Sequence, residues 1–117
     1  MTTACVVVTL ITVVMTTAVG VADLIPAGFV LANSAEVHVP RSWLPALGAL
    51  KLAGATGLLV GLVGPPAIGI AAATGLVLFF IGALITHIRA HVLYNIAFPG
   101  AYLALSAGSL MLLAAGK

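Results

Sequence analysis

Between Arg41 and Arg89 the chain carries one formally charged side chain, Lys51, and the apolar run around it extends from Ser42 to Gly64 without another charge. A run of that length matches the ~20 residues needed to cross a ~30 Å hydrocarbon core. In such a core every backbone N–H and C=O must be satisfied within the segment, so the run has to be a helix. A lysine near its middle then needs a partner or a job. The choice of partners is narrow: the only acids are Asp23 and Glu36, and the histidines are His38, His87 and His91.

Composition fixes the class. Charged residues are 5% of the 117 positions and 63% are apolar, against roughly a quarter charged in ordinary soluble domains. A chain this short cannot hide so much apolar surface from water, so an all-α integral membrane protein is predicted. Four basic residues, Arg41, Lys51, Arg89 and Lys117, are too sparse for a nucleic-acid face. The single cysteine, Cys5, excludes an internal disulfide, a thiol pair and a four-cysteine metal or iron–sulfur site. No intrinsic cofactor is expected, and any redox chemistry belongs to a bound molecule or a partner.

The pattern predicts a single domain, a four-helix bundle with spans over about 3–22, 42–63, 66–90 and 98–115. The first segment lacks the basic n-region of a signal peptide and is read as a retained helix. Gly64-Pro65-Pro66 is a tight break: Pro removes donors and suits the first turn of the following helix. The second and third spans should therefore form a close antiparallel hairpin. Small residues at four-residue spacing (Ala53-Gly57-Gly61, Ala71-Gly75, Gly100-Ala104-Gly108) let backbones approach where lipid provides no hydrophobic drive, either within the bundle or across a homodimer. The connection 23–40 is too apolar for a solvated loop. It suits an extension of the first helix beyond Pro26 or a short helix in the headgroup layer. Trp43 beside Arg41 marks the interface.

Counting at 1.5 Å per residue puts Asp23 about 30 Å along the first span from Thr3 and His87 about 31 Å along the third from Pro66. Lys51, about 15 Å inside the same face, can lift its ammonium toward it on its butylene stem. Asp23, Glu36, His38, Lys51, His87, Arg89, His91, Tyr94 and Asn95 thus gather at one end, and a site belongs there. Lys51 should pair with Asp23 rather than Glu36, because Asp23 sits at a helix end. Asp23, Lys51 and His87 are the catalytic candidates; Glu36, Gly54, Phe80, Arg89 and Tyr94 are the ligand-binding ones. Lys51, Gly54 and Leu58 share one helical face, as do Phe80, Ala83 and His87, which suggests a pocket beneath the 23–40 connection. His87 and His91 at i, i+4 mimic metal spacing, yet no H-E-x-x-H pattern or third ligand accompanies them. No metal is expected, and no second transmembrane histidine supports haem.

Val39-Pro40-Arg41-Ser42-Trp43-Leu44-Pro45, followed by Lys51-Leu52-Ala53-Gly54-Ala55, resembles the second helix of DoxX-like membrane proteins, and Pro66–Ala72 through His87-Ile88-Arg89-Ala90 resembles their third. The resemblance covers roughly residues 39–91. It implies a four-helix multi-pass protein of a bacterial cell membrane and a link to quinone-coupled oxidoreductase systems. Lys51 departs from the acid that family often carries there. Two functions follow as expectations: holding a lipid-soluble molecule such as a quinone, or serving as membrane subunit of a partner oxidoreductase. The alternative is a small isomerase, cyclase or epoxide-opening enzyme using acid/base chemistry on an apolar substrate. A purely structural packing subunit is the third reading. Arg41 and Arg89 against Lys117 favour the polar end in the cytoplasm, on a count of three residues that does not fix orientation.

Overall fold

In the computed structural model, which describes residues 1–117, the chain forms α1 (Thr3–Leu24), α2 (Gly28–Glu36), a 3-10 turn (Arg41–Trp43), α3 (Leu44–Val63), α4 (Pro66–Arg89) and α5 (Ala97–Ala114). Apart from the short α2, each helix belongs to a segment long and apolar enough to cross a membrane. α1 packs on α3 and α5, and α4 packs on α3 and α5, so the four spans close a ring in an up-down order. The assembly measures 40 × 25 × 18 Å. Thr2 donates to the Lys117 carbonyl, which places both termini at the end opposite the polar residues.

The buried positions alternate at spacings of three and four. On α3 they are Leu44, Gly48, Lys51, Ala55, Leu58 and Gly61; on α4 they are Gly69, Ala73, Leu76, Phe80 and His87. This is the periodicity of a knobs-into-holes seam, and it turns Lys51 and His87 inward. On α1 the same seam reads Cys5, Thr9, Thr12, Thr16, Gly20 and Asp23, polar or small throughout.

The small residues close the bundle, but not along every expected stripe. A Cβ added to Gly57 would lie 2.6 Å from Ala72 Cβ, and Gly61 meets the Gly69 backbone directly, as a tight α3–α4 hairpin requires. Gly48 faces Gly20, whose carbonyl oxygen would be 2.7 Å from a Cβ there. In contrast Gly75 and Gly100, expected to pack, have open space where a side chain would be. The α4 contacts instead use Gly69 and Ala72, which meet Gly61 and Gly57 of α3.

The 23–40 connection is a separate helix rather than an extension of α1. α1 ends at Leu24, two residues ahead of Pro26, as expected where Pro lacks the N–H that a continuing helix needs. α2 buries Val30 against Ala22 and Leu44. It terminates with His38 N–H donating to the Ala35 carbonyl and Val39 N–H to that of Ser34, with His38 at φ 63°. α4 ends the same way: His91 N–H bonds Ile88, Val92 N–H bonds His87, and His91 has φ 57°. Both are paired-bond helix ends in which a left-handed residue, usually glycine, follows the cap. His91 therefore lies outside α4 and does not continue the helical face of His87, which corrects its expected place one turn further along. Phe29, Trp43, Tyr94 and Phe98 are exposed at this end, an aromatic belt at interface depth.

Candidate functional site

Asp23 is the penultimate residue of α1, where the helix dipole makes a carboxylate unfavourable. The compensating cation comes from α3. Gly48, one turn before Lys51, lets α3 approach α1 until an added Cβ would sit 3.0 Å from Asp23 Cβ. Lys51 Nζ then donates to Asp23 Oδ2 at 2.7 Å, with the two side chains 11% and 4% exposed. At such low exposure the attraction is little screened, and neither charge is stranded. Lys51 Nζ also lies 5.3 Å from the centroid of the Phe79 ring, within cation–π range.

His87 is buried, and its Nδ1 lies 2.9 Å from the Ala83 carbonyl oxygen. A carbonyl only accepts, so Nδ1 is the donor in this contact and the other ring nitrogen, Nε2, is left for another partner. No hydrogen bond links His87 to Asp23 or Lys51. Of the three catalytic candidates, two are in direct contact and the third stands apart.

Glu36 lies outside this cluster. It accepts from the Tyr94 hydroxyl through both carboxylate oxygens, at 2.7 and 2.6 Å, while Asn95 Nδ2 donates to Asn33 Oδ1 at 3.0 Å. These contacts strap α2 to the turn between α4 and α5. The bond to Glu36, with smaller contributions from desolvation and the carboxylate charge, holds the Tyr94 phenol above its ordinary pKa. Arg89 is exposed and makes no side-chain contact to an acid.

The structure does not gather Lys51, Gly54, Phe80 and His87 around one hollow. A Cβ on Gly54 would meet Leu76 Cδ2 at 2.5 Å, so Leu76 takes the room that this glycine leaves. Phe80 is turned toward α5 and stacks on Tyr102, with centroids 5.2 Å apart and planes at 26°. Space near the ion pair lies instead on the outer side of the α3–α4 hairpin. A groove of about 490 Å³ runs there between Leu50, Ala53 and Gly54 of α3 and Ala72, Gly75, Leu78 and Phe79 of α4. Phe79, rather than Phe80, connects this groove to the ion pair. The sequence shows two adjacent phenylalanines, and only the rotation of α4 decides which one meets the lysine.

A sequence model of the DoxX-like family matches residues 7–109, nearly the whole bundle from α1 to α5. The chain belongs to the DoxX-like family. No curated protein and no solved structure matches it. The family match spans the four candidate membrane helices and both members of the Asp23–Lys51 pair, so this DoxX-like protein is an integral membrane protein.

Proposed function

We propose that this DoxX-like protein holds a neutral lipid-soluble molecule of quinone-like chemistry, with a carbonyl head at the Asp23–Lys51 pair and an apolar body in the α3–α4 groove. The observation that carries the reading is Phe79, which touches both places: its ring lies beside Lys51 Nζ, and it lines the groove. An ammonium has three donors, and Asp23 is its one hydrogen-bond partner in the chain. A carbonyl oxygen can take another. Because the pair is neutral as a unit, it favours an uncharged acceptor; an anionic head would meet the Asp23 carboxylate. The groove volume falls in the ~300–1,000 Å³ range of small-molecule sites. In this reading the chain binds and positions the molecule, and a partner oxidoreductase changes its redox state.

The test uses Gly75→Phe. Gly75 lines the groove and has open space at its Cβ position, so the substitution fills the groove without displacing a helix. Equilibrium binding of a short-chain benzoquinone to purified protein in detergent should weaken on the order of tenfold, about 1.4 kcal/mol, while the melting temperature holds. Lys51→Met/Asp23→Asn, which removes the polar head site, should weaken it as well. Equal affinity in the native protein and both variants would overturn the proposal.

A further inference from the structure

We infer that the buried face of α1 is a hydrated polar seam, with a water molecule bound at each of two buried hydroxyls, Thr9 and Thr16. Both residues are fully buried, and neither Oγ1 has a hydrogen-bond partner in the chain. This is unusual even within this molecule. Thr12, Thr56, Thr74 and Thr86 each return their hydroxyl to the carbonyl four residues earlier, all at 2.8 Å. Thr9 and Thr16 do not, so their oxygens are spent neither on their own helix nor on a neighbour. A buried hydroxyl without a partner is costly, and ordered water is the usual remedy where other polar groups are at hand.

Such groups are at hand. Thr12 Oγ1 lies 3.0 Å from Ser109 Oγ, and Thr12 also reaches the Leu105 carbonyl at 3.2 Å, which fixes the antiparallel register of α1 on α5. One turn toward Asp23 on α1 and one turn back on α5, that register brings Thr16 to the level of Ser106, which is also fully buried. Ser106 donates to the Tyr102 carbonyl at 2.8 Å and keeps its lone pairs for a water donor. The Tyr102 hydroxyl, which bonds the Met15 carbonyl at 3.2 Å, lies in the same layer. Thr9 stands one turn on the other side of Thr12 along the same buried face of α1. The Thr12–Ser109 bond thus sits between two water positions.

Water-to-protein magnetisation transfer, measured by NMR on the full chain in nanodiscs, tests this. Thr9 and Thr16 should show contacts to long-lived water, and Thr12, whose hydroxyl is engaged by Ser109, should show none. Thr16→Val should abolish its own signal and lower the melting temperature by about 3–6 °C, since the isosteric methyl gives up the bonds to the bound water. Thr9 and Thr16 as dry as Thr12 would overturn the inference. So would a higher melting temperature for Thr16→Val, because that is the response of a hydroxyl with no partner at all.

Discussion

The two acids of this protein lie at the same end of the bundle in opposite circumstances. Asp23 is held by a cation inside the helix packing, at 2.7 Å and almost without exposure. Glu36 is held by a phenol outside it, on a helix that packs over the bundle end, and Tyr94 is largely exposed. The distances are nearly equal, so geometry does not separate them; the surrounding medium does. In the interior a lost partner leaves a charge that nothing screens, whereas water can replace a surface partner at small cost. The inner contact therefore ties stability to the site, and the outer one governs how firmly α2 sits on it.

The sharpest way to break this comparison is Lys51→Met. It should cost on the order of 3–5 kcal/mol by stranding Asp23, and Lys51→Met/Asp23→Asn should recover a large part. Thermal unfolding in detergent reads both variants, and a double variant no more stable than the single would reduce the inner pair to the rank of the outer. Gly48→Ala comes next. Its new methyl would press on the Gly20 carbonyl and the Asp23 side chain, so a loss of about 1–3 kcal/mol from overpacking is expected, measured by the same melts. Gly75→Ala, with open space around it, serves as the neutral reference.

The outer layer should respond in the other direction. His91 occupies a left-handed position that costs a side chain roughly 1–2 kcal/mol relative to glycine. His91→Gly should therefore raise stability by up to about 1 kcal/mol, once the greater freedom of glycine in the unfolded chain is counted. The melting temperature decides the sign. The smallest global effect belongs to Tyr94→Phe, which should leave the melting temperature unchanged and speed amide hydrogen exchange in α2 alone. The Tyr94 pKa is raised in the folded state, so its contribution is complete below the unfolded value of 10.0. It is lost as pH rises through the higher folded value. Exchange in α2 should accelerate over that alkaline window in the native protein and stay flat in Tyr94→Phe, apart from the intrinsic pH dependence of exchange.

The spans and the inner pair were legible because each follows from a local rule. Apolar length predicts a crossing helix, and a cation at hydrocarbon depth with two acids in reach selects the one at a helix end. The α3–α4 hairpin was legible from Gly64-Pro65-Pro66 for the same reason. What the sequence concealed depends on helix rotation and on contacts between distant segments. Neither Phe79 against Phe80 nor the packing of Gly69 and Ala72 in place of Gly75 can be read without the facing surface of α3. The Glu36–Tyr94 strap joins residues far apart in the chain by a contact with no sequence pattern. One signal was present: Thr9, Thr12, Thr16 and Asp23 recur on a single helical face of α1, which is enough to mark a polar seam in an otherwise apolar span.

The Asp23–Lys51 pair also has an electrical meaning. A charge displaced across a membrane does about 2.3 kcal/mol of work per 100 mV, and Lys51 alone would put an uncompensated charge on α3 within that field. With an opposite charge 2.7 Å away, the two sample almost the same potential and their contributions nearly cancel. The bundle is thus close to voltage-silent at the depth where it holds its only buried ions. Neutralising either residue alone would leave a net charge in the field, and neutralising both would return it to silence.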